Sequence, residues 1–117
     1  MAVLSTHVLD TSRGAPAAGV RIELHFLQNG ARRLVASATT NADGRTDAPL
    51  RAGDSLEVGV YELTFHAGDY FRSTGVALAD PPFLDEVVIR IGIAERARNY
   101  HVPLLIAPYG YSTYRGS

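Results

Sequence analysis

The stretch Tyr100-His-Val-Pro-Leu-Leu-Ile-Ala-Pro-Tyr-Gly-Tyr-Ser-Thr-Tyr-Arg-Gly-Ser117 decides how this chain is read. Chain ends are usually frayed and polar. This one runs apolar through Val102, Leu104, Leu105 and Ile106, and then carries Tyr109, Tyr111 and Tyr114. Pro108 and Gly110 divide it into two strands, His101–Ala107 and Gly110–Arg115. It closes on Arg115, Gly116 and Ser117 with no trailing polar tail, which predicts a tip that is tied down and used.

Outward from that end, the same strand grammar repeats. Val3–Asp10 is a β-branched strand carrying His7, and residues 11–19 have loop chemistry at Gly14, Pro16 and Gly19. Val20, Ile22, Leu24 and Phe26 alternate with Arg21, Glu23 and His25, the pattern of a half-buried strand. Asn29-Gly30 supplies the positive φ values a type I′ turn needs and predicts a hairpin into Leu34–Thr40. Asp43-Gly44 is a second turn, followed at once by Arg45. Leu50–Val58 is weakly strand-like and broken at Gly53-Asp54, whereas Val60–His66 alternates cleanly. Ala67–Thr74 loses the alternation and reads as a short helix ended by Gly75. Pro81-Pro82 is a stiff connector, Phe83–Ile93 a long strand, and residues 94–99 a polar loop. Seven or eight short strands and at most one helix predict an antiparallel β-sandwich, with residues 1–117 forming one domain.

Composition removes whole classes of function. A net charge of -1 gives no electrostatic case for nucleic acid or an anionic membrane. The chain has no cysteine, so disulfides, thiolate catalysis and cysteine-held metals are excluded. All 11 basic residues are arginine, so Schiff-base and lysine-base chemistry is excluded too. The first residues carry neither a basic start nor a long apolar run, so a cytoplasmic protein is expected, and a bacterial one from the arginine bias.

Histidine is the natural acid–base group near neutral pH. His25 and His66 fall on a polar face and at a strand end, where solvated side chains are expected. His7 and His101 lie inside apolar strands and must be partly buried against a partner, which a structural histidine would satisfy as well as a catalytic one. Zinc needs three or four convergent ligands, and no two histidines here stand closer than 18 residues. Ser117, His101 and Asp10 make a triad on paper, without the strained turn that a serine nucleophile needs. Arg45 and Arg115 read singly as solvated residues, and the C-terminal tyrosines as packing or interface residues.

Four motifs in order carry more than any of these alone: Leu-Ser-Thr-His-Val-Leu-Asp at Leu4–Asp10, Asp-Gly-Arg-Thr at Asp43–Thr46, Tyr-His-Val-Pro-Leu-Leu at Tyr100–Leu105, and Tyr-Arg-Gly-Ser at Tyr114–Ser117. With them the chain resembles the 5-hydroxyisourate hydrolases, transthyretin-like enzymes of urate breakdown. The resemblance implies a mostly β, transthyretin-like (prealbumin) sandwich of two four-stranded sheets with one short helix. It also implies a homotetramer, a dimer of dimers, with active sites in the channel between dimers and no metal or organic cofactor. Its catalytic positions fall on His7, Arg45, His101 and Ser117, and its substrate-binding positions on Arg45, Tyr114, Arg115 and Gly116; which histidine is the base stays open. The implied reaction is hydrolytic cleavage of the N1–C6 bond of 5-hydroxyisourate. The alternative is a transthyretin-type carrier without catalysis, which would need an apolar channel rather than a polar one.

Overall fold

Period-two alternation builds two sheets and decides what lies between them. The computed structural model describes residues 2–117. Its strands are β1 (Val3–Asp10), β2 (Ala15–Pro16), β3 (Arg21–Gln28), β4 (Ala31–Thr39), β5 (Arg51–Ala52), β6 (Gly59–His66), β7 (Glu86–Ile93), β8 (Tyr100–Ala107) and β9 (Gly110–Thr113). A 3-10 turn, Gly53–Ser55, follows β5, and the helix α1 (Ala67–Ser73) follows β6.

One sheet has the order β4-β3-β6-β7 and is antiparallel throughout. The other has the order β2-β1-β8-β9, with β5 also pairing β1, so it holds five strands rather than the expected four. Two of the five are two-residue pieces, too short to leave a periodic signal. The sandwich is also not wholly antiparallel. β1 and β8 run parallel from Leu4↔Tyr100 to Asp10↔Ile106, because the chain reaches β8 only after passing through the other sheet.

Strand β1 buries Leu4, Thr6, Val8 and Asp10 and turns Ser5, His7 and Leu9 to the outer face of its sheet. The core closes where Leu4, Val8, Leu104 and Ile106 meet Ile22, Leu24, Leu63 and Phe65 from the opposite sheet. Each such side chain is worth about 1.5–3 kcal/mol when fully removed from water. The Asn29-Gly30 turn forms as expected, with φ of 53° and 78°.

Several expected boundaries move. Strand β4 begins at Ala31 rather than Leu34, since the two-residue turn lets pairing start at once with Gln28↔Ala31. Strand β7 begins at Glu86, not Phe83, whose ring is exposed and lies 6.0 Å from that of Tyr109. Strand β9 ends at Thr113 rather than Arg115. His66, expected in solvent, is buried: it lies on the outer face of β6 beneath neighbours from β3, with Nε2 donating to Glu23 Oε1 at 2.7 Å and the Arg21 guanidinium alongside. That hydrogen bond, before any other influence, holds the Glu23 carboxyl below its usual range.

Helix α1 is fastened to β1 by a buried carboxylate. Asp10, fully buried, accepts from Tyr70 Oη at 2.8 Å and from the Ser12 backbone and hydroxyl at 3.0 and 2.6 Å. A buried carboxylate is tolerated only when its lone pairs are satisfied. Tyr70→Phe removes one donor and keeps the ring, so it should cost about 1–3 kcal/mol in urea unfolding. A loss within error would show that the Asp10–Tyr70 bond does not hold the helix.

Candidate active site

The parallel β1–β8 register fixes the site. It sets Ser5 beside His101 and His7 beside Pro103, all on the outer face of the sheet. His101 is half-buried, and its Nδ1 lies 2.8 Å from Ser5 Oγ. His7 Nε2 lies 2.8 Å from the Asp43 carbonyl oxygen. A carbonyl only accepts, so Nε2 carries the proton and neutral His7 has its lone pair on Nδ1.

The loop that supplies this carbonyl also delivers Arg45. Asn41 organises it: its side-chain oxygen accepts from the Asp43 and Arg45 backbone N–H groups at 2.9 and 3.2 Å, and its own N–H donates to the Arg45 carbonyl at 2.7 Å. The Gly44 carbonyl then accepts from Val8 N–H at 2.7 Å, which sews the turn to β1 and bridges Arg45 to His7. Gly44 has φ of 75°, and a Cβ there would collide with the Val8 carbonyl oxygen, so glycine is required on two grounds. Arg45 is left exposed, with its charge close enough to act on His101.

The C-terminal segment closes the other side. Strand β9 pairs β8 as far as Leu104↔Thr113, and the same register resumes at His101↔Gly116, where Gly116 N–H donates to the His101 carbonyl at 2.8 Å. Between them stands Pro103, which has no N–H to give, and Thr113 Oγ1 donates to the Pro103 carbonyl at 2.7 Å. A Cβ on Gly116 would lie 2.6 Å from His101 Cδ2 and 3.2 Å from Pro103 Cγ. This glycine is a contact surface for the imidazole.

His7, Arg45, His101 and Gly116 therefore converge. The other expected positions stand differently. Tyr114 and Ser117 are exposed beside the convergence. The Arg115 guanidinium lies 4.3 Å from the centroid of the Tyr100 ring and donates to the Asn99 carbonyl at 3.2 Å. In this chain its contacts thus anchor the terminal segment, a packing role that the sequence reading did not include. A cavity of about 330 Å³ opens alongside, between Ile89–Gly92 of β7 and the Tyr100, His101 and Tyr114 side of the other sheet. Ser5 was missed, although its signal was available: it stands two residues before His7 and so shares its face.

Burial, first, and then the Arg45 and His7 charges push the His101 pKa below its ordinary value of 6.5. The ring is therefore neutral at neutral pH and free to take a proton. Among the described residues, no three histidine, aspartate or glutamate side chains cluster to hold a metal, and no helix is long and apolar enough to cross a membrane.

A β-sandwich that gathers two imidazoles on one sheet face and brings a loop guanidinium beside them presents groups suited to acid–base chemistry on a small polar molecule. The HIUase/Transthyretin family model matches residues 4–116. 5-Hydroxyisourate hydrolase 2 of Rhizobium meliloti (strain 1021) is 59% identical over 114 residues, covering 97% of this chain and 95% of its own. Klebsiella pneumoniae 5-hydroxyisourate hydrolase superposes with a TM-score of 0.81 at 40% identity, covering 100% of both chains. Sea bream transthyretin in complex with thyroxine gives 0.87 at 25% identity, over 97% of this chain and 93% of its own. The chain belongs to the HIUase/transthyretin family.

The depressed pKa can be read directly. In an NMR titration the His101 ring should protonate with a midpoint below 6.5. Arg45→Gln should raise that midpoint part of the way, because burial persists after the repelling charge is gone. A midpoint at or above 6.5, unmoved by the substitution, would contradict the electrostatics of the site.

Proposed function

We propose that this chain catalyses the hydrolytic ring opening of 5-hydroxyisourate, with residues 1–117 acting as one catalytic domain. Water adds to C6, the N1–C6 bond breaks, and N1 takes a proton, giving 2-oxo-4-hydroxy-4-carboxy-5-ureidoimidazoline in urate catabolism. The observation that carries this reading is the meeting of a neutral His101, His7 and Arg45 on one sheet face, in a chain 59% identical to a 5-hydroxyisourate hydrolase.

Each residue type answers one requirement of the reaction. One imidazole takes the proton of the attacking water, while the other orients the ring or returns a proton to the leaving nitrogen. Arg45 offers a planar fork of N–H donors to the oxygens of the substrate and to the oxyanion that forms at C6. The Ser117 hydroxyl holds the water or the substrate. Tyr114 and Gly116 border the substrate, and Arg115, stacked on Tyr100, anchors the segment that carries them while its charge faces the substrate's oxygens. No step calls for a metal or organic cofactor.

The site completes itself in a homotetramer, a dimer of dimers, acting in the cytoplasm. The uncovered edge strands β7 and β9 and the exposed rings of Phe83, Tyr109 and Tyr111 support such an assembly. A carrier role has no observation in its favour, since the face that would hold an apolar hormone presents imidazole and guanidinium groups instead.

The test is the ultraviolet absorbance of 5-hydroxyisourate generated in place by urate oxidase. The protein should remove the intermediate far faster than buffer does, and Arg45→Ala should lower kcat/KM by roughly 10²–10³-fold, the scale of losing one oxyanion donor, without changing the oligomer seen by light scattering. Gly116→Ala should lower kcat by displacing the His101 ring. Decay at the buffer rate with wild-type protein would overturn the hydrolase reading.

A further inference from the structure

The two histidines of the site are held in different ways, and the difference bears on which of them removes a proton. His7 is bound through Nε2 to a carbonyl. His101 is bound through Nδ1 to a hydroxyl, and its Cγ–Cδ2 edge faces Gly116. The edge of the His101 ring left over is the one bearing Nε2. Among the described residues, no side chain or backbone group hydrogen-bonds that nitrogen.

A hydroxyl can donate to Nδ1 or accept from it, and the two choices give His101 opposite chemistry. If Ser5 donated, the proton of the neutral ring would sit on Nε2 and His101 could not act there as a base. If Ser5 accepts, the proton sits on Nδ1 and the lone pair on Nε2 faces the open side of the site. The surroundings of the ring distinguish the two: a proton on Nδ1 has an acceptor in Ser5 Oγ at 2.8 Å, whereas among the described residues a proton on Nε2 has none. The contact forms because Ser5 and His101 are direct partners in the parallel β1–β8 register.

We propose that Ser5 is a positioning residue: it holds neutral His101 in the Nδ1–H form with its Nε2 lone pair turned to the substrate, so that His101 is the general base while His7, its own N–H held by the Asp43 carbonyl, orients the ring. This rests on the hydrolase reading above and adds to it the residue that sets the base. Ser5 touches no substrate in this scheme. In the reaction, Nε2 takes the proton of the attacking water as the O–C6 bond forms, and the imidazolium, its Nδ1–H still on Ser5 Oγ, returns that proton to N1 as the N1–C6 bond breaks.

The test needs ¹⁵N-labelled protein and two-bond ¹H–¹⁵N correlation spectra of the imidazole rings, taken above the His101 titration. Wild-type His101 should show the Nδ1–H pattern, and Ser5→Ala should shift it toward Nε2–H, the form preferred by an unconstrained imidazole in water. Ser5→Ala should also lower kcat by about tenfold with KM little changed, a part of the roughly 10²–10⁴-fold that a positioned base supplies. Ser5→Thr, which keeps the hydroxyl, should restore both the tautomer and the rate. An Nε2–H pattern in the wild-type ring overturns the proposal whether or not any variant folds, and so does a Ser5→Ala protein with unchanged tautomer and kcat. Failure of the hydrolase reading is separate: it would appear as absent wild-type turnover, which leaves the spectra free to report on Ser5.

Discussion

The parallel pairing of β1 with β8 is the constraint from which the rest of this molecule follows. It joins segments almost a hundred residues apart in register from Leu4↔Tyr100 to Asp10↔Ile106. Leu4, Val8, Leu104 and Ile106 go to the core, and Ser5, His7 and His101 to the outer face. Because side chains alternate with period two, a slip of one residue would exchange the core set for the polar set. The hydrophobic effect thus enforces the register, and the register places the chemistry. No separate device is needed to bring His7 and His101 together.

What the ladder does not supply is brought in by two close approaches of backbone. The turn at Asn41–Arg45 lies against β1 only because Gly44 has neither a side chain nor an objection to positive φ. The terminal segment lies against β8 only because Gly116 leaves room for the His101 ring. Pro103 helps from the other direction: its missing N–H interrupts the β8–β9 ladder, so that Tyr114 and Arg115 lie outside the regular strand before Gly116 rejoins. The site is therefore made of ordinary strand residues, and its unusual demands fall on two glycines and a proline.

Much of this was legible in the sequence, for identifiable reasons. Alternation over β3 and β6, the Asn29-Gly30 turn and the loss of alternation at Ala67 are local signals, and each produced the expected element. His7 and His101 stood out because imidazoles inside apolar strands require partners, and both have them. The parallel pairing was not legible, since nothing within β1 or β8 states which strand it will lie beside. The burial of His66 was hidden for the same reason: it depends on Glu23 and Arg21, more than forty residues earlier, closing over it. The partners of Arg115 were equally hidden, because Tyr100 reaches it only once the terminal segment has folded back along β8.

The proposed chemistry has one location: the outer face of the β1–β8 pair, between Arg45 and the terminal segment. A crystal structure with a ring-stable oxidised-purine analogue tests that location most directly. The analogue is predicted to lie on this face, within hydrogen-bond distance of His101 Nε2 and the Arg45 guanidinium, with Gly116 at its border. An analogue bound instead between the sheet edges, against Ile91 and Tyr100 and out of reach of both groups, would contradict it.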